Sequence, residues 1–378
     1  MKNKGMYFLI GMALCTGAKA DLLGLSNPAD IAGMKDFSLY SSGNFFAGSD
    51  YTPVKQFTGS WNGPYTPQSG RNLALSEGRV EAGATYGSWR IAALYREEVV
   101  VQSNRDMTNI AYYNKQHLPV PAGQNFAINL NMQGFEAKGV RLDKGFLFEG
   151  SGGTSYSLGA GLSLLQGTRV RMTTADGVAA STLTGYTYNA TLQDENSKAS
   201  YPFISNATPI GRGYAMDLGA KIHWKNGSHL DVAVNDLLAQ MRWYNMPYTI
   251  ETANSATLNR NAAGYISYNP TVSGYNDIHR RTIVQNLMTK VSADYTRPFS
   301  IVDLTAGTDW IAGYWLPQAG IAYHLDSDWK ASASYDLRFR SVGFGIRNKW
   351  FHVDLLTDST NLNMANAVGF DAGINLSF

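Results

Sequence analysis

From about residue 37 to its end, the chain alternates apolar and polar residues with a period of two. The last run is the clearest. Phe370, Ala372, Ile374, Leu376 and Phe378 fall on one face, and Gly369, Asp371, Gly373, Asn375 and Ser377 on the other. Successive side chains of a strand point to opposite sides, so this is a strand with one apolar and one polar face. Two more runs are nearly as clean. Tyr214, Met216, Leu218, Ala220, Ile222 and Trp224 alternate with Ala215, Asp217, Gly219, Lys221 and His223. Trp329, Ala331, Ala333, Tyr335, Leu337 and Phe339 alternate with Lys330, Ser332, Ser334, Asp336 and Arg338. A last strand left unpaired is a sticky edge; closing the sheet into a barrel removes it, and in lipid closure is obligatory.

Counting strands gives fourteen: about 37–47, 76–86, 89–100, 130–142, 153–166, 214–224, 229–248, 282–296, 299–309, 318–325, 329–339, 342–348, 350–357 and 366–378. The pattern also leaves room for twelve or sixteen. An even number suits a bacterial single-chain barrel. Asn226-Gly227 is a two-residue hairpin signal. Long connections (about 48–75, 101–129, 167–212 and 249–281) alternate with short ones, as long outer loops and short inner turns do in the outer membrane. The 101–129 loop shows no clear apolar helix that would serve as a lid.

The N-terminus changes the picture from sheet to exported sheet. Lys2 and Lys4 precede an apolar run, Met6 to Cys15, and then Ala18-Lys19-Ala20. This reads as a secretory signal peptide removed after about Ala20, too short to span a bilayer as a helix. Cys15, the single cysteine, falls inside it, so no disulfide holds the remainder. The organisation predicted is therefore 1–20 signal peptide, 21–36 plug-like lead segment and 37–378 transmembrane β-barrel. Composition agrees. The chain has 38 Gly, 22 Tyr, 8 Trp and 12% aromatic residues, with a mean hydropathy of only −0.21. Lipid-facing residues interleaved with lumen-facing ones, plus aromatics for the interface girdles, give this balance. With 31 Lys+Arg against 29 Asp+Glu the chain is near neutral, which argues against nucleic acid as a partner.

Two resemblances sharpen the fold. Asp371, Gly373, Leu376 and Phe378 are spaced like the C-terminal insertion signal of bacterial outer-membrane proteins, which implies the barrel-assembly machinery as a partner. Asn27-Pro28-Ala29-x-Ile31-Ala32-x-Met34-Lys35, leading straight into the first strand, resembles the start of the FadL superfamily of outer-membrane transporters. Met216-Asp217-Leu218-Gly219-Ala220 and the following Leu230-x-Val232-Ala233-Val234-Asn235-Asp236-Leu237 are similar to a hairpin of the same superfamily. The resemblance implies a fourteen-stranded barrel plugged by its own N-terminal segment, with Asn27, Pro28 and Ala29 in the plug. It implies inward movement of small hydrophobic compounds, fatty-acid or aromatic-like.

Candidate chemistry is sparse. The six histidines lack a nucleophilic serine at a useful spacing, and no His and carboxylate cluster has metal-ligand spacing. His352 and Asp354 share a strand face, which on a polar lumen is ordinary solvation. The expectation is a non-enzyme without cofactor or metal. Lys221, His223, Lys330, Asp336 and Arg338 point into the lumen on this register, either as charges that set permeant preference or as a network that fills a narrow bore. His279-Arg280-Arg281 suits contact with lipopolysaccharide phosphate, and membrane lipid is the other expected partner. Two further functions fit the pattern: a structural or adhesive barrel acting through its long loops, and a general diffusion porin.

Overall fold

The computed structural model describes residues 22–182, 186–200, 208–260, 266–268 and 271–378. The expected signal peptide lies outside the described residues. Fourteen strands close into one antiparallel ring. They are β1 (Ser38–Ser49), β2 (Arg71–Tyr86), β3 (Trp89–Asn104), β4 (Asn125–Glu149), β5 (Ser155–Ser181), β6 (Ile210–His223) and β7 (His229–Asn254). The second half is β8 (Lys290–Phe299), β9 (Val302–Ile311), β10 (Tyr314–His324), β11 (Lys330–Asp336), β12 (Val342–Arg347), β13 (Phe351–Thr357) and β14 (Ala367–Ser377). Each strand pairs with the next, and β14 pairs back on β1 from Ser38↔Ser377 to Gly48↔Ala367.

Alternation explains which way each residue faces. Val80, Ile91, Val140, Leu158, Leu218 and Leu355 are exposed on the outside. Aromatics crowd the end with the short turns, where Tyr86, Trp89, Phe148, Trp350 and Phe378 are all exposed and Phe37 lies 6.1 Å from Phe378. This is an apolar belt with an interfacial girdle. In β14 Leu376 points out, while Asp371 points in and meets His352 Nε2 at 3.2 Å. Gly373 leaves room for the same imidazole. Among the described residues no helix is long and apolar enough to cross a membrane.

The strands are longer than the apolar pattern predicts. β4, β5 and β7 run on past the belt, and the strands Tyr186–Asn196 and Val272–Asn286 pair with these extensions in a sheet above the ring. Much of the predicted 167–212 and 249–281 loops is therefore strand. Above the lipid both faces are wet, so one-sided hydrophobicity stops where the hydrogen-bonded ladder does not. The 101–129 loop also differs. It carries α1 (Arg105–Lys115), capped by Asn104, whose side chain accepts from the Met107 amide at 3.0 Å.

Candidate functional site: an occupied lumen and an irregular wall

Residues 22–32 run inside the ring, and Gly33, Lys35 and Asp36 are exposed beside the Ser88 turn. Proline in the first turn and an Asn27 cap open a short 3-10 turn, Pro28–Ile31, with Asn27 Oδ1 accepting from the Ala29 amide at 2.9 Å. This turn lies on a bare patch of wall. Gly145 on β4, Gly159 on β5 and Gly219 on β6 are direct cross-strand partners. A Cβ on Gly145 would sit 2.6 Å from the Ala32 nitrogen; on Gly159 it would strike Pro28, and on Gly219 Asn27. Three adjacent glycines thus form a floor that only backbone can approach so closely.

Specific bonds hold the segment there. Asn235 Oδ1 accepts from the Ser26 amide at 3.1 Å, and Asn235 Nδ2 donates to the Ser26 carbonyl at 2.8 Å. Asn27 Nδ2 donates to the Val232 carbonyl, and Arg90 to Ser26 Oγ. Lys221 Nζ lies 2.6 Å from Asp30 and 3.2 Å from Asp231. Further up, Asp309 accepts from the Leu22 and Leu23 amides and from Gln318. Leu22, Leu23 and Leu25 pack with Phe46, Leu73, Leu75, Val100, Ile311 and Leu316 in an apolar cluster inside the ring.

Beside this segment the wall is irregular. Met216 pairs with Leu238 but Leu218 pairs with Val234, so β7 carries two extra residues opposite Asp217. Asp236 takes a left-handed φ of 58°, uncommon for a non-glycine residue but tolerated by Asp. The Asp217 carboxylate accepts from the Asp236 amide at 2.9 Å. On its other edge β7 pairs Asn235 with Lys290 and Gln240 with Asn286, and the ladder lapses between them at Leu287, Met288 and Thr289. There Leu287 N–H still reaches the Ala239 carbonyl at 3.1 Å, and the Thr289 hydroxyl the Asp236 carbonyl at 3.1 Å. Leu287 belongs to a second inner apolar cluster with Leu94, Phe135, Leu165, Met241 and Trp243. Met288 packs on the first. The lapse in the wall therefore borders both apolar clusters, Leu287 packing in one and Met288 on the other.

A charge network fills the lumen around it. Arg96 forks onto Asp236 at 2.8 and 2.6 Å, and Lys290 Nζ sits 2.7 Å from Glu77 and 2.5 Å from Glu98. Arg141 reaches Asp143 at 2.7 Å and Asp217 at 3.0 Å, Arg90 reaches Asp143, and Arg79 pairs with Glu81. These groups are almost wholly buried, which is tolerable only because each is paired. At the outer mouth the rings of Tyr51, Phe57, Trp61, Tyr65 and Tyr112 pack together, with Tyr65 stacked on Tyr112 at 4.1 Å. Burial pushes the Tyr65 hydroxyl up to about 12, so it stays a donor, to Asn109 at 2.7 Å.

No family model and no curated protein matches this chain. Solved structures do. The chain is similar to the Pseudomonas putida toluene transporter TodX at 12% identity, over 93% of this chain and 91% of that one, with a TM-score of 0.45. It is similar to CymD, a monoaromatic hydrocarbon channel, at 10% identity over 93% and 91%, with a TM-score of 0.30. A FadL homologue of Pseudomonas aeruginosa matches at 12% identity over 92% and 90%, with a TM-score of 0.35. The fold itself is established by the strand pairings.

The residues singled out in the sequence fall at several places in the barrel. Asn27, Pro28 and Ala29 lie inside the ring on the glycine floor. Lys221 faces inward as the partner of Asp30. Lys330 pairs with Asp303 at 2.9 Å, which also meets His324, and so stands apart from the segment. His223 is at the exposed inner rim, stacked on His229 at 5.3 Å. Asp336 ends β11 and accepts from the Phe339 amide at 2.7 Å. Arg338 lies beyond the strand end, contrary to a strand reaching 339, and bonds Asp50 at 2.6 Å across the outer mouth. His352 turns to Asp371 rather than Asp354, which pairs with Arg347 at 3.1 Å. The side chains of His279 and Arg280 lie outside the described residues; Arg281 stacks on Tyr248 at 4.0 Å. Missed from the sequence were Asp217, Asn235 and Asp236 as a unit, although all three stand in the hairpin motif.

Proposed function

We propose that this chain is a transporter of the bacterial outer membrane that carries small hydrophobic compounds inward, with residues 21–36 as its plug. The observation that carries the reading is the wall lapse at Leu287–Thr289, which borders two apolar clusters inside the ring beside the plug. A hydrophobic solute gains nothing from a continuous aqueous bore. It needs an apolar surface and an exit that avoids the paired charges below. The leucines of the plug already belong to one of these clusters, so a ligand enters by displacing or skirting them. Fatty-acid-sized and monoaromatic compounds both suit the chemistry of the lining. The signal peptide, the barrel-assembly machinery and outer-membrane lipid belong to the same reading, and no catalytic role is part of it.

A second reading has an observation of its own. The filled charge network and the tall sheet above the ring suit a barrel that acts through its outer surface. Single-channel conductance in a planar bilayer, with and without residues 21–36, separates the cases. The plugged transporter predicts a silent full-length protein and a conducting deletion. Steady large conductance at full length identifies a diffusion porin instead. Silence in both, with no uptake of hydrophobic solute, favours the surface role.

A further inference from the structure

The outer wall carries a row of cations without an ion pair among the described residues. Tyr95, Lys138, Gln166, Arg212 and Arg242 are successive cross-strand partners on β3 to β7. Lys138, Arg212 and Arg242 are exposed, and alternation fixes their direction. Ala137, Met241 and Trp243 beside them are fully buried inside. Arg212 and Arg242 are directly opposed on one face, where like charges repel. Among the described residues none of the three cations has an ion pair. The neighbouring carboxylates are engaged: Glu136 with Arg169 at 3.2 Å, Asp194 with Arg171 at 3.0 Å, and Glu97 with the Tyr95 hydroxyl at 3.2 Å.

The level of the row identifies what would balance it. Just below it toward the inner rim the outer face is apolar, with Val140, Leu164, Met216 and Leu238. Tyr95 stands in the row, with Tyr214 two residues below Arg212 and Tyr244 two residues above Arg242, all three exposed. Cations and tyrosines above an apolar belt sit at the headgroup level of a bilayer. Opposed arginines beside a lysine suit a phosphate group, which accepts from several donors at once.

We propose that Lys138, Arg212 and Arg242 bind the phosphorylated headgroup of an outer-leaflet lipid. The lipid would lie directly over the wall lapse, since Arg242 is three residues beyond Ala239 and pairs with Val284, three residues before Leu287. The lapse is thereby roofed by an anionic headgroup at its upper edge. This inference rests on the reading of the chain as an outer-membrane barrel.

The test uses full-length protein in lipid nanodiscs doped with diphosphoryl lipid A or with its dephosphorylated form, and native mass spectrometry to count the retained glycolipid. The wild type is expected to prefer the phosphorylated form by about tenfold or more, a conservative figure for three interfacial cations. The triple variant K138Q/R212Q/R242Q should bring the ratio near one, and Arg212→Gln alone should lower it part-way. Double substitution of the paired Arg169 and Arg171 by Gln should change it less. No preference in the wild type, or an undiminished preference in the triple variant, would overturn the site. Displacement of the lipid by millimolar inorganic phosphate would overturn the lipid as occupant. Folding is checked separately by heat-modifiable mobility. Absent solute uptake with intact lipid preference would fault the transport reading and leave this site standing.

Discussion

Strands β2 to β8 and strands β10 to β14 with β1 are built on the same alternation but present different interiors. The first wall aims long charged side chains inward: Arg79, Arg96, Arg141, Asp217, Asp236 and Lys290, each buried and paired. The second mixes small groups, Ser332, Ser334, Gly343, Gly345 and Gly369, with less deeply buried ion pairs, Arg347–Asp354 and His352–Asp371, beside a cavity of about 50 Å³ edged by Leu22. Large paired groups make a rigid seat for the lead segment and for the irregular stretch of β7. Small groups leave a space beside Leu22. The two sides thus differ in how deeply their inward charges are buried, and the irregular ladder lies on the side with the deeper ones.

The comparison is broken most severely on the side with the deeper charges. Asp236→Ala removes the carboxylate shared by Arg96 and Lys290 and leaves both buried, at a cost of about 3–5 kcal/mol seen as an earlier transition in urea unfolding in detergent. Next comes the seat of the segment. Asn235→Ala deletes two bonds to the Ser26 backbone and should cost about 1–3 kcal/mol, with residues 22–36 cleaved faster by added protease. Gly159→Val places a side chain where Pro28 rests. The barrel should still form, while the segment lifts off and current spikes appear in an otherwise silent bilayer. The side with the small groups should hardly respond. Ser334→Ala is expected to change stability by no more than about 0.5 kcal/mol, and an effect as large as that of Asn235→Ala would erase the distinction.

The strands could be read from the sequence because lipid on one side and polar residues on the other impose a strict period of two. The ring strands fall where that period runs, except that the strand predicted over about 282–296 is broken at Leu287–Thr289 and β8 begins only at Lys290; the insertion residues Gly373 and Leu376 lie in the last strand. The extensions of β5 and β7 stayed hidden, since above the membrane neither face need be apolar. Site residues were harder. Asn27-Pro28-Ala29 was visible through its resemblance. The glycine floor was not, because Gly145, Gly159 and Gly219 become a row only once three strands are in register. Asp217 looked like any other inward polar residue until the two extra residues of β7 placed the Asp236 amide against it. Arg338 was assigned to a strand because its polar–apolar rhythm continues past Asp336, where the chain already turns.

The most direct test of the central claim is to close the wall lapse. Ala239 and Leu287 lie on facing segments joined by one backbone hydrogen bond, and no cysteine follows Cys15. Uptake of a radiolabelled hydrophobic solute would be measured in cells carrying the double variant Ala239→Cys/Leu287→Cys, oxidised and then reduced. A lateral exit predicts loss of uptake on oxidation and its return with reductant. Uptake at the wild-type rate while the cross-link is intact would contradict it and send the solute through the lumen instead.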